Sequence, residues 1–195
     1  MPDQSAAPAT PERRRRADAH RNEAALLSAA GRVFAARGIN APIRAIATEA
    51  GMGVGTIYRH FPSRRELVAA VYRHQVDELV ALGTRVDGDS STADSVDLAV
   101  WVDSFVTFLA TKHGLAEISR TDGSGEELHD SFLGPLLPVV DALLDLAHHD
   151  GRIARRPDAY QFMRSIGNLC VGAAEDPRYD AREAVATFLG GLAAR

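Results

Sequence analysis

Apolar residues along this chain recur three and four positions apart and almost never alternate. Leu26, Leu27, Ala30, Val33 and Phe34 make one such set, and Gly38 follows as a stop. A short segment opens at Pro42, a residue suited to the first helical position, and carries Ile43, Ile46, Ala47 and Ala50 before Gly51. A second short segment runs from about Val54 to His60 and is broken by Pro62. Ser63-Arg64-Arg65-Glu66 has the form of a capping box, in which the serine hydroxyl accepts from the glutamate amide while the glutamate reaches back. The long helix it opens carries Leu67, Val71, Leu79 and Leu82. Val86 to Ser95 reads as a Gly/Asp/Ser linker. Beyond it Leu98, Trp101, Val102, Phe105 and Leu109 form another helical stripe. A helix from about Glu126 to His149 should be kinked by Pro135 and Pro138, and two last helices fit roughly Pro157 to Ala174 and Asp180 to Ala194. No run of alternating Val, Ile and Thr claims a strand. The predicted class is all-α.

Composition narrows the picture. With 195 residues, 46% hydrophobic and 25% charged, the chain has globular character and the size of one large domain or two small ones. Its first residues, rich in Ala, Pro and polar groups, read as a disordered tail with no apolar signal core, and no stretch approaches the roughly 18 apolar residues of a membrane span. A cytoplasmic protein is the expectation. Cys170 is the single cysteine, which excludes an intrachain disulfide and any multi-cysteine metal site.

Charge changes the picture more. Pro11 to Gln75 holds 12 arginines, no lysine and five acids, whereas Val76 to Arg195 holds 10 basic and 20 acidic residues. An arginine-rich segment of this size is a candidate polyanion binder, because each arginine that neutralises a phosphate releases condensed counterions. The acidic remainder would be repelled by nucleic acid and should face away. By charge alone, a solvated basic face without a partner is an equal reading.

Residues 42–61, PIRAIATEAGMGVGTIYRHF, carry the candidate chemistry. Two helices of about two turns meet at a bend where Gly51 can take the positive φ required. Ala47 is small where the helices cross, and Ile43, Ile46 and Ile57 can close one small core. So short a pair needs the preceding helix and the start of the Ser63 helix to complete that core. Gly53, Gly55, Thr56, Tyr58, Arg59 and His60 are left outward: low in bulk, able to hydrogen-bond, positively charged. That suits entry into a DNA major groove.

Leu26-Leu27-Ser28-Ala29-Ala30, Phe34-Ala35-Ala36-Arg37-Gly38, Ile46-Ala47, Ala50-Gly51, Gly55-Thr56-Ile57-Tyr58-Arg59-His60-Phe61-Pro62-Ser63 and Glu66-Leu67 together resemble the N-terminal domain of TetR-type transcriptional regulators, over roughly residues 18–75. The C-terminal half is similar only in length and helical content. Residues 1–16 are expected to form a disordered basic arm, and the resemblance implies a three-helix helix-turn-helix domain over 17–64 and a helical ligand-binding and dimerisation domain over 65–195. It implies a dimer that represses by occupying a palindromic double-stranded operator until a small-molecule inducer releases it. Carried over position by position, Tyr58, His60 and Arg64 fall on phosphate contacts, and Arg44, Val54, Gly55, Thr56 and Arg59 on base-reading positions. Ala41 departs from the pattern: threonine commonly caps the second helix there, and Asn40 is the only nearby substitute. Packing against the first helix is the alternative role for Tyr58, and an exposed charge at a helix start the alternative for Arg44. Arg13-Arg14-Arg15-Arg16 reads either as an arm reaching phosphates or a minor groove, or as a solvated tail.

In the acidic half, Trp101, Phe105, Phe108, Phe132, Phe162 and Met163 are the candidate walls of a pocket for a hydrophobic or aromatic effector, with His113, Arg120 or Asn168 as polar partners. For any one of them, plain core is the commoner role of such a stripe. His113 with Glu117, His129-Asp130 and His148-His149-Asp150 read as surface residues rather than metal ligands, and no metal or cofactor is expected. Small residues among apolar ones at Ile166, Gly167, Leu169, Cys170, Gly172 and Ala173, then Val185, Phe188, Leu189 and Leu192, suit a homodimer interface made by the last two helices, or else an internal hairpin. The chain has no Gly-rich phosphate loop after a strand and no His-Glu-x-x-His site, so an enzyme is not expected. The alternative to a ligand-responsive regulator is a constitutive or architectural DNA binder whose body only dimerises. Arginine can read guanine through paired bonds. Replacing Arg59 by alanine should therefore change which duplex sequences bind by about 1–3 kcal/mol of discrimination at one base pair, measured by competition between sequence variants.

Overall fold

The computed structural model describes residues 11–84, 97–119, 125–171, 173, 176 and 178–193, without the side chains at 11, 12, 14, 16, 17 and 111–132. Among the described residues eight helices follow one another: α1 (Pro11–Arg37), α2 (Ile43–Ala50), α3 (Val54–His60), α4 (Arg64–Gly83), α5 (Leu98–Ser119), α6 (Gly125–His149), α7 (Ala159–Leu169) and α8 (Ala181–Leu192). The fold is all-α, with one antiparallel bridge between Ile153 and Ala193 and no strand among these residues.

The first helix starts earlier than its apolar pattern. Arg13–Arg16 lie within the opening turns of α1, not on a loose arm ahead of it. Proline loses no bond in a first turn, and arginine is a good helix former, so local propensity carries α1 back to Pro11. Arg13, Arg15 and residues 18–22 are exposed, and burial begins in earnest at Leu26. The expected tail before Pro11 and the Val86–Ser95 linker fall largely or wholly outside the described residues.

The two proposed domains share a core. One apolar cluster runs from Leu26 and Phe34 through Ile46, Ile57, Leu67, Val71 and Tyr72 to Trp101, Leu143, Phe162 and Val185. Helix α4 is its common wall, packed on α1, α5 and α6. Ser63 caps it as the sequence predicts: its hydroxyl accepts from the Glu66 amide at 3.2 Å, and the Glu66 carboxylate accepts from that hydroxyl at 3.0 Å. At the other end α4 meets the body with no side chain between. A Cβ built on Gly83 would stand 2.0 Å from Val139 Cγ1 and 3.2 Å from Trp101 Nε1. The Trp101 indole donates to the Leu79 carbonyl at 3.0 Å, so α4 and α5 are tied where they are closest.

Helix α6 runs through both prolines, which are exposed, so water can take the carbonyls they leave unpaired. Arg156, just before α7, ion-pairs with Asp141 at 2.6 Å and with Asp145 on α6; its guanidinium holds the Asp145 carboxyl below the usual aspartate range. Asp158 and Asp180 cap α7 and α8. Helix α7 stops at Leu169, short of the predicted span, and Cys170 behind it is buried, which pushes its thiol pKa up.

Since Val139 is β-branched and buried, it has little room to yield. Gly83→Ala should destabilise the fold by about 1–3 kcal/mol through overpacking. Chemical denaturation read by far-ultraviolet circular dichroism measures this.

Candidate nucleic-acid interface

The bend between α2 and α3 forms as its glycine requires. Gly51 sits at φ +64°, and the Met52 amide donates back to the Ala47 carbonyl at 2.9 Å. Ile46 and Ala47 of α2, Ile57 of α3 and Phe61 just after it are buried, with Ile43, Met52 and Val54 half-buried against them. This is the small core expected from the spacing, completed by α1 and α4. Arg32 of α1 pairs with Glu49 of α2 at 2.9 Å.

Ile57 is the inward residue of α3. At 100° per residue Gly55 and Arg59 lie opposite it, with Thr56 and Tyr58 on the flanks. Tyr58, Arg59, His60 and Arg44 are exposed, while Val54 and Thr56 are half-buried. Tyr58 stands 49% exposed, which leaves about half its surface open to solvent. Arg59 folds back lightly, its Nε donating to the Gly55 carbonyl at 3.3 Å. A glycine inside a seven-residue helix costs up to about 1 kcal/mol relative to alanine. At Gly55 an added Cβ would meet no atom within 4 Å among the described residues, so packing there does not require the glycine.

Arg64 is placed differently from the others. Its two Nη groups donate to the carbonyls of Ile39 and Ala41, in the turn between α1 and α2, the latter at 2.7 Å. Pro42 occupies the cap of α2 with no side-chain bond, so Asn40 does not replace the missing threonine.

Most of the described aromatic residues predicted to wall a pocket are packed into the core instead. Trp101, Phe105, Phe108, Phe162 and Met163 are all buried, and the rings pack on one another: Trp101 on Phe105 at 5.3 Å, Phe105 on Phe108 at 6.1 Å, Tyr72 edge-on to Phe108 at 5.9 Å. The α5 residues are core because α5 packs against α1, α4 and α6, and Phe162 and Met163 are core because α7 packs against α5 and α6. Phe132, His113, Glu117, Arg120 and His129 lie where side chains are not described, and Asn168 is exposed. Among the described residues predicted for the pocket, only Phe108 reaches an open groove of about 460 Å³ between α4 and α5, whose other walls include Gln75, Glu78, Leu82, Asp103 and Thr107. Polar residues on facing helix edges mark that groove, a signal a search for aromatic stripes passes over.

Ser28, His74 and Glu78 meet beneath the head. Ser28 Oγ is 2.9 Å from His74 Nε2 and donates to Glu78 at 3.1 Å, and Glu78 is 3.2 Å from the same Nε2. Serine and carboxylate face one ring nitrogen, whereas a nucleophilic relay needs them on opposite ones. The cluster joins α1 to α4.

A tight two-helix bend carrying an exposed, arginine-bearing outer helix, set in a bundle with α1 and α4, defines a helix-turn-helix DNA-binding unit. The family model of bacterial regulatory proteins of the TetR type matches residues 26–71, which span this unit. A TetR transcription regulatory protein from Mycobacterium vanbaalenii is 30% identical, over 91% of this chain and 98% of that one, with a TM-score of 0.61. A TetR transcriptional regulator from Streptomyces coelicolor is 28% identical, over 88% and 98%, with a TM-score of 0.70. No curated protein matches the chain. The chain belongs to the TetR family of DNA-binding transcriptional regulators. No helix among the described residues is long and apolar enough to cross a membrane.

Gly55→Ala should raise the stability of the unit by up to about 1 kcal/mol while weakening its binding to duplex DNA. Thermal melts and duplex titrations on the same variant measure the two opposite effects.

Proposed function

We propose that this regulator is a cytoplasmic, non-catalytic repressor that binds a palindromic operator as a homodimer and is released by a small apolar effector. The observation that carries the DNA-reading half is the bare outer face of α3: Gly55, with open space around it, beside exposed Arg59 and opposite buried Ile57. Arg44, Val54, Gly55, Thr56 and Arg59 read base edges, and Tyr58 and His60 fix the register on phosphates. Dimerisation is supported by the outer faces of α7 and α8 and by exposed residues of the segment between them. Tyr160, Val171 and Tyr179 are exposed, Leu169, Phe188, Leu189 and Leu192 half-buried, and a Cβ on Gly190 or Gly191 meets nothing within 4 Å. Two such copies place their α3 helices for half-sites about one DNA turn apart, or a multiple. The α4–α5 groove is the proposed effector site, since whatever shifts α4 shifts the head.

A second reading, a constitutive DNA binder, is favoured by the closed packing of Trp101, Phe105, Phe162 and Met163. Selection of bound sequences from random duplexes, with the mass of the complex measured by light scattering, tests the first half. A palindromic consensus bound by two protomers is expected; no enrichment at low salt, or a monomeric complex, overturns it. Screening apolar and amphipathic small molecules for release of the selected duplex then separates the two readings.

A further inference from the structure

We propose that Arg64 is a positioning residue that clamps the α1–α2 turn to the first turn of α4, and does not serve as a phosphate contact. This rests on the DNA-binding reading above but makes a separate claim about the head.

Ile39 and Ala41 are buried, so their carbonyls have little access to water. The turn supplies few partners of its own: Gly38 at φ +76° closes α1, and the Ala41 amide donates to the Gly38 carbonyl at 3.1 Å. Helix α2 then starts from Pro42 with no side-chain cap. Arg64 satisfies both carbonyls at once, reaching 25 and 23 residues back along the chain. A planar guanidinium can hold two separate acceptors in one fixed geometry; a lysine ammonium carries its charge on a single nitrogen and cannot reproduce the fork. Ser63 and Glu66 fix the helix start from which Arg64 projects. The clamp therefore transmits the placement of α4 to the start of α2, and through the Gly51 bend to α3.

The test compares the full-length protein with Arg64→Lys and Arg64→Ala, using a duplex selected by the wild-type protein and a random duplex of equal length. Hydrogen exchange over residues 38–50 should accelerate about tenfold in both variants, the scale of leaving a buried carbonyl unpaired. Affinity for the selected duplex should fall by about tenfold in both, with the slope of log K against log salt unchanged and the random duplex affected less than about threefold. A phosphate contact behaves otherwise: Arg64→Lys would keep wild-type affinity and exchange, and Arg64→Ala would flatten the slope by about 0.9 per head. That result, or unchanged exchange in both variants, overturns the proposal. If Arg64→Ala does not fold, Arg64→Lys decides alone. If the wild-type protein binds no duplex, the DNA-binding reading fails while the exchange comparison still decides the clamp.

Discussion

Everything in this chain depends on α4 being buried on two sides. A helix-turn-helix pair as short as α2 and α3 encloses only a few side chains, Ile46, Ala47 and Ile57 among them, and cannot hold itself together. It is closed by α1 and by the first half of α4, where Leu67, Val68, Val71 and Tyr72 are buried. The second half of the same helix packs into the body through Val76, Leu79 and Gly83. One rigid element thus belongs to both cores, and the head has no independent position. Polar ties reinforce this at both levels: the Ser28–His74–Glu78 cluster between α1 and α4, and the indole of Trp101 on the Leu79 carbonyl.

Two glycines show opposite uses of a missing side chain. Gly83 is glycine because α5 and α6 leave no space. Gly55 is glycine with open space around it among the described residues, at a cost in helix stability relative to alanine. Packing requires the first and leaves the second free. Charge divides along the chain as well: the arginine-rich stretch from Pro11 to Gln75 forms α1 to α3 and the first half of α4, whereas Asp77 and Glu78 open the acidic remainder on the second half of α4.

The head was legible because its signals are local. Gly38 and Gly51 mark the bends, Pro62 ends α3, Ser63 and Glu66 form the cap, and the isoleucine spacing names the small core. Where long-range contacts decide, the sequence was silent or misleading. The stripe through Trp101, Phe105 and Phe108 announces a helix but cannot say whether its apolar face meets a ligand or α4 and α6. The destination of Arg64 depends on a turn that the chain made more than twenty residues earlier, and neither its charge nor its position in a motif encodes it. Arg13–Arg16 carry no apolar periodicity, so they read as an arm, whereas intrinsic propensity is enough to extend α1.

The absence of a side chain at Gly83 also sets the mechanical character of the molecule. With Val139 and Trp101 directly against its backbone, that end of α4 has the body's side chains in immediate contact. Arg64 lies about 19 residues away, or about 28 Å along the helix axis. Leverage follows from that length: a tilt of about 5° at Gly83 would swing the far end of α4 through about 2.5 Å, close to the length of a hydrogen bond.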